Sequence, residues 1–367
     1  MKKIQDIIIS VIFLLVLIAG GLTLFLLPQS KYSDAERRPL AVSPSFSADS
    51  VLKGNFFTET DDWVTDHFIG RETFRHLKAV WQLYCLREKE NNGLAVVDNS
   101  IIKLEKQVNE ESLEYAKDRF ESVYNDCLAN SNCNIFCAVI PDKSYFLKGK
   151  GYPVMDFDKM ERMFGDSVPA STSISLKESL SLSDYYLTDS HWRQECIIPA
   201  AKKLLESMGR DGSALNIDDF DVNTYENFYG VYAGQSALDP APDTITYLSG
   251  GPISETKVLD YSTMQVIQMY DPDGCDKRDP YTLFLGGSKG LLRIENPATC
   301  DERELIIFRD SFGSSISPLL AAGYRAVTLI DLRYVQPIYF KRYVRFNNND
   351  VLFLFSATLL NNSQGLM

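Results

Sequence analysis

Three residues have the types and the spacing that nucleophilic acyl chemistry needs. Ser311 lies in Ile306-Ile307-Phe308-Arg309-Asp310-Ser311-Phe312-Gly313, where an apolar run stops just before the serine and a helical pattern begins just after it. A hydroxyl at the carboxyl end of a buried strand, beside the backbone N–H groups that open a helix, can attack a carbonyl. Those N–H groups can then stabilise the tetrahedral oxyanion. The plainer reading is that Ser311 or Ser314 caps the helix. A serine nucleophile needs a base, and the chain has three histidines, His67, His76 and His191. His67 and His76 fall in an amino-terminal helical region, as solvated or packed imidazoles. His191 lies in Tyr185-Tyr186-Leu187-Thr188-Asp189-Ser190-His191-Trp192, outside any helical periodicity. In extended backbone, residues two apart share a face, so Asp189 and His191 can meet. The carboxylate would fix the imidazole tautomer and steady the imidazolium, leaving the other ring nitrogen for Ser311. Trp192 would wall the site. Without a serine opposite, Asp-x-His is a turn with a surface carboxylate and a structural histidine.

Other chemistries are disfavoured by composition. Three histidines and no Cys-x-x-Cys pair provide neither a His-rich metal site nor a zinc ribbon, so no metal and no cofactor are expected. With 37 basic against 49 acidic residues, the net charge is -12 and a nucleic-acid partner is disfavoured. The 45% hydrophobic content supports a sizeable core, and a length of 367 residues suggests two or so domains. Seven cysteines leave at least one unpaired if disulfides form; Cys275 and Cys300 are one candidate pair, and buried free thiols are the alternative.

The elements that must position these residues follow from periodicity. Ile7 to Leu27 is a run of 21 residues without a charge, long enough to span a hydrocarbon core of ~30 Å. Lys2 and Lys3 precede it, no small-x-small cleavage site follows, and no cysteine stands near its end to take a lipid, so it reads as an uncleaved anchor. Lys31, Arg37 and Arg38 on the far flank leave charge counting undecided. The short leading segment and long following domain favour residues 31–367 outside the cytoplasm at a cell membrane. Residues 1–30 are then tail and anchor, 31–90 a stalk and amino-terminal helices, and 91–367 the main domain.

Phe74, Leu77, Val80, Trp81 and Tyr84 recur at three and four and predict a helix with one buried face. Leu94–Val97 and Ile101–Leu104 predict a hairpin. Leu113 to Leu128 predicts a helix leading into a buried strand at Ile135–Ile140, and Ile197 to Met208 another helix. Residues 212–300, rich in Tyr, Asp, Gly and Pro, read as an irregular β-rich insertion. The carboxy-terminal region alternates strand Leu305–Phe308, helix Ser314–Ala322, strand Ala326–Ile330, helix Ile338–Phe346 and strand Val351–Phe355. That order implies an α/β fold, a parallel sheet with helices on both faces. Ligands then collect outside the carboxyl ends of the strands, where Ser311 stands.

Thr188-Asp189-Ser190-His191-Trp192 together with Arg309-Asp310-Ser311-Phe312 resembles the DHHW proteins. These are relatives of the alginate O-acetyltransferase group within the SGNH-hydrolase-like superfamily. The likeness extends to Glu36-Arg37-Arg38-Pro39-Leu40, Asp66-His67-Phe68-Ile69-Gly70-Arg71, Phe284-Leu285-Gly286-Gly287, Asp331-Leu332-Arg333-Tyr334 and Leu360-Asn361-Asn362-Ser363. It implies a flavodoxin-like sheet and a triad of Asp189, His191 and Ser311, in the chain order of the acetyltransferase group. Ser190 stands where the family name has its first histidine, with its side chain alternating away from the Asp-His face. Arg309 stands where the esterases have the glycine of Gly-Asp-Ser. Asn361 or Asn362 would supply a side-chain donor or be loop residues; Arg333 would bind an anionic group or pair with Asp331. The activity implied is O-acetylation of a cell-surface or exported polysaccharide, with a multipass membrane acyltransferase as acetyl-donor partner. A carbohydrate esterase using water as acceptor carries the same triad. A non-catalytic glycan-binding surface protein would use the 19 tyrosines for sugar stacking, although they suit ordinary packing equally.

Overall fold

Leu305–Phe308 and Val351–Phe355 are apolar at every position and Ala326–Ile330 at all but Thr328, the pattern of strands covered on both faces. In the computed structural model, which describes residues 2–26, 28–213, 215–299 and 302–367, they form the centre of an eight-stranded sheet. Its order is Gln265–Ile267, Lys257–Asp260, Leu291–Glu295, Ala326–Ile330, Glu304–Arg309, Asp350–Ser356, Asn134–Ile140 and Thr172–Ser173. The five strands from Ala326–Ile330 onward run parallel, and the first three are joined antiparallel. The fold is α/β, a parallel-rich sheet with helices on both faces. Residues 212–300, expected to form an irregular β-rich insertion, supply those three antiparallel strands, and also a hairpin of Asp221–Phe228 with Asp243–Ser249.

Alternation along each strand divides the core in two. Leu305, Ile307, Leu352 and Leu354 face one side with the helices Ile198–Ser207 and Gly313–Leu320. Ile306, Phe308, Val351 and Phe353 face the other with Glu110–Val123 and Phe157–Ser167. Phe120, fully buried, lies 5.6, 5.5 and 5.2 Å from the rings of Phe164, Phe353 and Phe355. A side chain so buried contributes roughly 1.5–3 kcal/mol. The expected Ile338–Phe346 helix is a single turn, Pro337–Phe340, followed by turns. Phe340 and Val344 are buried there without further helix.

The chain divides into two compact units, residues 93–230 with 241–367, and residues 1–92 with 231–240. The smaller unit contains helices Lys2–Leu26, Asn55–His67 and Arg71–Val80. The first of these is long and apolar enough to cross a membrane. Asp66 gathers the segment before the helices: Arg38 donates to it at 2.9 and 2.5 Å, and the Ala41 N–H at 2.8 Å. The Arg38 guanidinium holds the Asp66 carboxyl down to about 2. Arg71 pairs with Glu36, which closes the network. The expected buried face of Arg71–Val80 is not found: Phe74, Leu77, Trp81 and Tyr84 are all exposed, because the arginines of this helix, not its apolar residues, hold it to the unit. Cys275 is a buried free thiol, and Cys300 lies outside the described residues.

Candidate active site

The strand Glu304–Arg309 ends three residues short of the helix Gly313–Leu320, leaving Ser311 in the middle of the Asp310–Phe312 turn between them. Asp310 shapes this turn. Its Oδ1 accepts the Phe312 N–H at 3.0 Å and its Oδ2 accepts the Ser356 N–H at 2.8 Å, so a buried carboxylate ties the turn to the neighbouring strand. Arg309, also buried, reaches across to the Ser314 Oγ at 3.1 Å and the Lys289 carbonyl at 3.3 Å, with Asp331 at 3.5 Å. A buried guanidinium requires such partners.

Opposite this turn, Tyr185 and Trp192 bridge to form a tight loop that carries the histidine. His191 Nε2 lies 2.8 Å from Ser311 Oγ, and His191 Nδ1 lies 2.6 Å from Asp189 Oδ1. Asp189 is buried and His191 retains a small exposed edge. The sequence reasoning expected extended backbone here; instead the chain bends, because Asp189 Oδ1 also accepts the His191 backbone N–H at 3.0 Å. This is an Asx turn, which brings the same two side chains together by a different route. With Nδ1–H donating to the carboxylate, Nε2 is left to accept the serine proton, the arrangement required of a general base.

Several residues that hold this loop carry no sequence signature. Asp243 accepts the Leu187 and Thr188 N–H groups at 2.8 Å each and the Thr188 hydroxyl at 2.6 Å. Lys143, buried, donates from Nζ to the carbonyls of Ile101, Tyr186, Leu187 and Asp189 at 2.6, 2.7, 3.1 and 3.1 Å. Burial pushes its ammonium down to about 7, against the pull of Asp189 and Asp243. Tyr281 stacks on the imidazole with centroids 3.9 Å apart and planes 12° from parallel, and donates to Ser315 Oγ at 2.8 Å. Burial raises its phenol pKa, so it remains a neutral donor.

The other expected site residues have their side chains engaged by the protein itself. Trp192 does not wall the site: it is fully buried, with Nε1 donating to Ser315 Oγ at 2.8 Å and the Phe312 carbonyl at 3.2 Å. It therefore fastens the histidine loop to the serine helix from beneath. Arg333 is bidentate to Asp331 at 2.9 and 2.7 Å. Asn361 accepts the Asn109 N–H at 2.7 Å and donates to Glu105 and the Gln107 carbonyl at 3.0 Å each, which ties loops together, and Asn362 bonds the Thr358 carbonyl at 3.1 Å. Among the described residues, no group of three or more His, Cys, Asp or Glu side chains is arranged to hold a metal ion.

Residues 154–330, a span that includes Asp189, His191 and Ser311, match the family model described as DHHW protein. No match was found among curated proteins. Among solved structures, the fold is similar to a DHHW family protein from Eubacterium siraeum, 20% identical, covering 75% of this chain and 95% of that chain at a TM-score of 0.61. It is also similar to PatB1 of Bacillus cereus, solved alone and with a sulfonyl adduct. The adduct structure is 18% identical and covers 73% of this chain and 97% of that one at a TM-score of 0.57. The structure without it is 19% identical and covers 74% and 97% at 0.56.

Proposed function

We propose that this chain, which carries a DHHW-family domain over residues 154–330, is a membrane-anchored O-acyltransferase that works outside the cytoplasm with Ser311, His191 and Asp189 as its triad. The observation that carries the reading is the continuous relay of 2.6 Å from Asp189 to His191 and 2.8 Å from His191 to Ser311 at the carboxyl end of the sheet. His191 Nε2 takes the Ser311 proton as Oγ attacks the acetyl carbonyl of the donor. It returns that proton to the leaving group, and an acetyl ester remains on Ser311. An acceptor hydroxyl then loses its proton to Nε2 and attacks this ester. Transfer of the proton back to Ser311 Oγ completes the cycle with the acetyl group on the acceptor. Asp189 stays ionised throughout and stabilises the imidazolium.

The family likeness supports a polysaccharide hydroxyl as acceptor and a multipass membrane acyltransferase as the donor's source. Helix Lys2–Leu26, with its apolar composition, supports attachment to a cell membrane through residues 7–27. The sulfonyl adduct reported for PatB1 suggests the probe. A sulfonyl fluoride should label the full chain on Ser311, with Ser311→Ala unlabelled and acetyl-ester turnover lowered by at least ~10³-fold. Adding oligosaccharide should divert acetate into sugar ester. Acetate release unaltered by any oligosaccharide would assign an esterase instead, and unlabelled Ser311 with retained glycan binding would assign a non-catalytic protein.

A further inference from the structure

Helix Arg71–Val80 and its π-helical continuation Trp81–Cys85 are amphipathic in the reverse sense. Polar side chains attach the helix to its own unit. Arg71 pairs with Glu36, Arg75 donates to the carbonyls of Gly234 and Gln235 at 3.0 and 3.1 Å, and His76 Nδ1 lies 3.0 Å from the Ala237 carbonyl. Phe74, Leu77, Trp81 and Tyr84, spaced at three and four, point away from it with 57% to 61% of each side chain's residue exposed. A helix in water turns such a stripe inward. A stripe turned outward matches a surrounding that is itself apolar.

Contacts within the unit say which surrounding that is. Phe68 opens the turn into this helix, and a Cβ on Gly20 of the long apolar helix would lie 3.4 Å from Phe68 Cε2. Gly20 precedes Leu26, the end of that helix, by six residues, which is roughly 9 Å along the axis. If the helix spans the bilayer, Phe68 therefore stands within the apolar layer and not above it. A second contact agrees, with the Phe25 and Trp63 rings 5.8 Å apart. Phe68 in turn meets Phe74, the first member of the stripe, at 5.6 Å. Contact thus runs from the apolar helix to Phe68 and from Phe68 to Phe74, and Leu77, Trp81 and Tyr84 continue the stripe along the chain. Indole and phenol rings are the side chains that favour the headgroup level.

We propose that Phe68, Ile69, Phe74, Leu77, Trp81 and Tyr84 form a lipid-facing surface that lies in the bilayer interface beside the anchor. The inference rests on the reading of residues 7–27 as a membrane span. An interfacial helix sinks its apolar face roughly 5–10 Å into the headgroup and acyl boundary. The second attachment would stop the unit from swinging freely on a single helix.

The full chain in nanodiscs of phosphatidylcholine and phosphatidylglycerol, with and without phosphatidylcholine brominated near the headgroup end of its acyl chains, tests this. Tryptophans occur at 63, 81 and 192, so the difference between the native protein and Trp81→Phe isolates the Trp81 emission. The Trp81 component should fall about twofold or more in brominated discs, and Leu77→Asp with Phe74→Asp should abolish that quenching while leaving the fold unchanged. An unquenched Trp81 component in a chain that resists alkaline carbonate would overturn the lipid-facing surface and leave the anchor standing. Extraction of the chain by carbonate would overturn the anchor and the surface with it.

Discussion

Gly230 backs directly onto Asp189. A Cβ on Gly230 would fall 2.3 Å from Asp189 Cβ and 2.4 Å from the Thr188 carbonyl oxygen, closer than atoms approach without something moving. The Gly230 N–H also donates to Thr188 Oγ1 at 2.9 Å, so the glycine both admits the carboxylate loop and holds it.

Gly230→Ala should therefore displace Asp189 and its histidine from Ser311 while the sheet stays intact. Turnover of an acetyl ester should fall by about 10²-fold, the cost of a displacement near 1 Å, with the far-ultraviolet dichroism preserved. Native turnover in this variant would mean that the position of Asp189 is not critical.

Asp189→Asn keeps the shape of the loop but offers His191 Nδ1 an amide in place of a carboxylate. The imidazole then loses the partner that fixes its tautomer, and kcat should fall by about 10⁴-fold. Steady-state kinetics beside a melting curve check this, and a loss below about tenfold would remove Asp189 from the triad.

Lys143 gives a pH signature. Its folded pKa, pushed by burial to about 7, lies below the ordinary lysine value of about 10.4. Between those values the unfolded chain holds a proton that the native chain lacks, so this group makes unfolding harder as pH rises through that window. Below pH 7 the cost of the buried ammonium is carried in full. Lys143→Met should remove the contribution, at most about 1.4 kcal/mol per pH unit, and take the Nζ donor from four carbonyls, of which that of Leu187 keeps the Ile101 N–H. Urea unfolding of both proteins at pH 7, 8 and 9 reads the difference in slope. Parallel curves would show that Lys143 keeps its proton throughout.

The centre of the sheet is legible because Leu305–Phe308 and Val351–Phe355 are apolar at every position. Ser311, His191 and Asp189 were singled out by scarcity of histidine and by a strand that ends in a serine. The loop that joins Asp189 to His191 was read as extended, since an Asx turn and a strand leave the same two-residue spacing. Tyr281, Lys143, Asp243 and Gly230 act across long stretches of chain, and no local pattern distinguishes a lysine that will be buried under four carbonyls from one in water. Trp192 faces the core and not the opening for a related reason: an indole beside a loop histidine can turn either way, and its neighbours in sequence do not decide which. The Phe74 to Tyr84 stripe shows the converse limit. Periodicity established that one face of the helix is apolar, but it carries no information about what that face meets.

Asp350–Ser356, the last strand of the sheet in chain order, lies between Asn134–Ile140 and Glu304–Arg309. Until that segment leaves the ribosome, the two sides of the sheet have no common member, and the Ser356 N–H that braces Asp310 is missing. A nascent chain thus contains His191 and Ser311 before it contains the strand that braces the serine turn. Loss of Asp350–Ser356 would therefore remove at one stroke the bridge between the two sides of the sheet and the brace beneath the Ser311 turn.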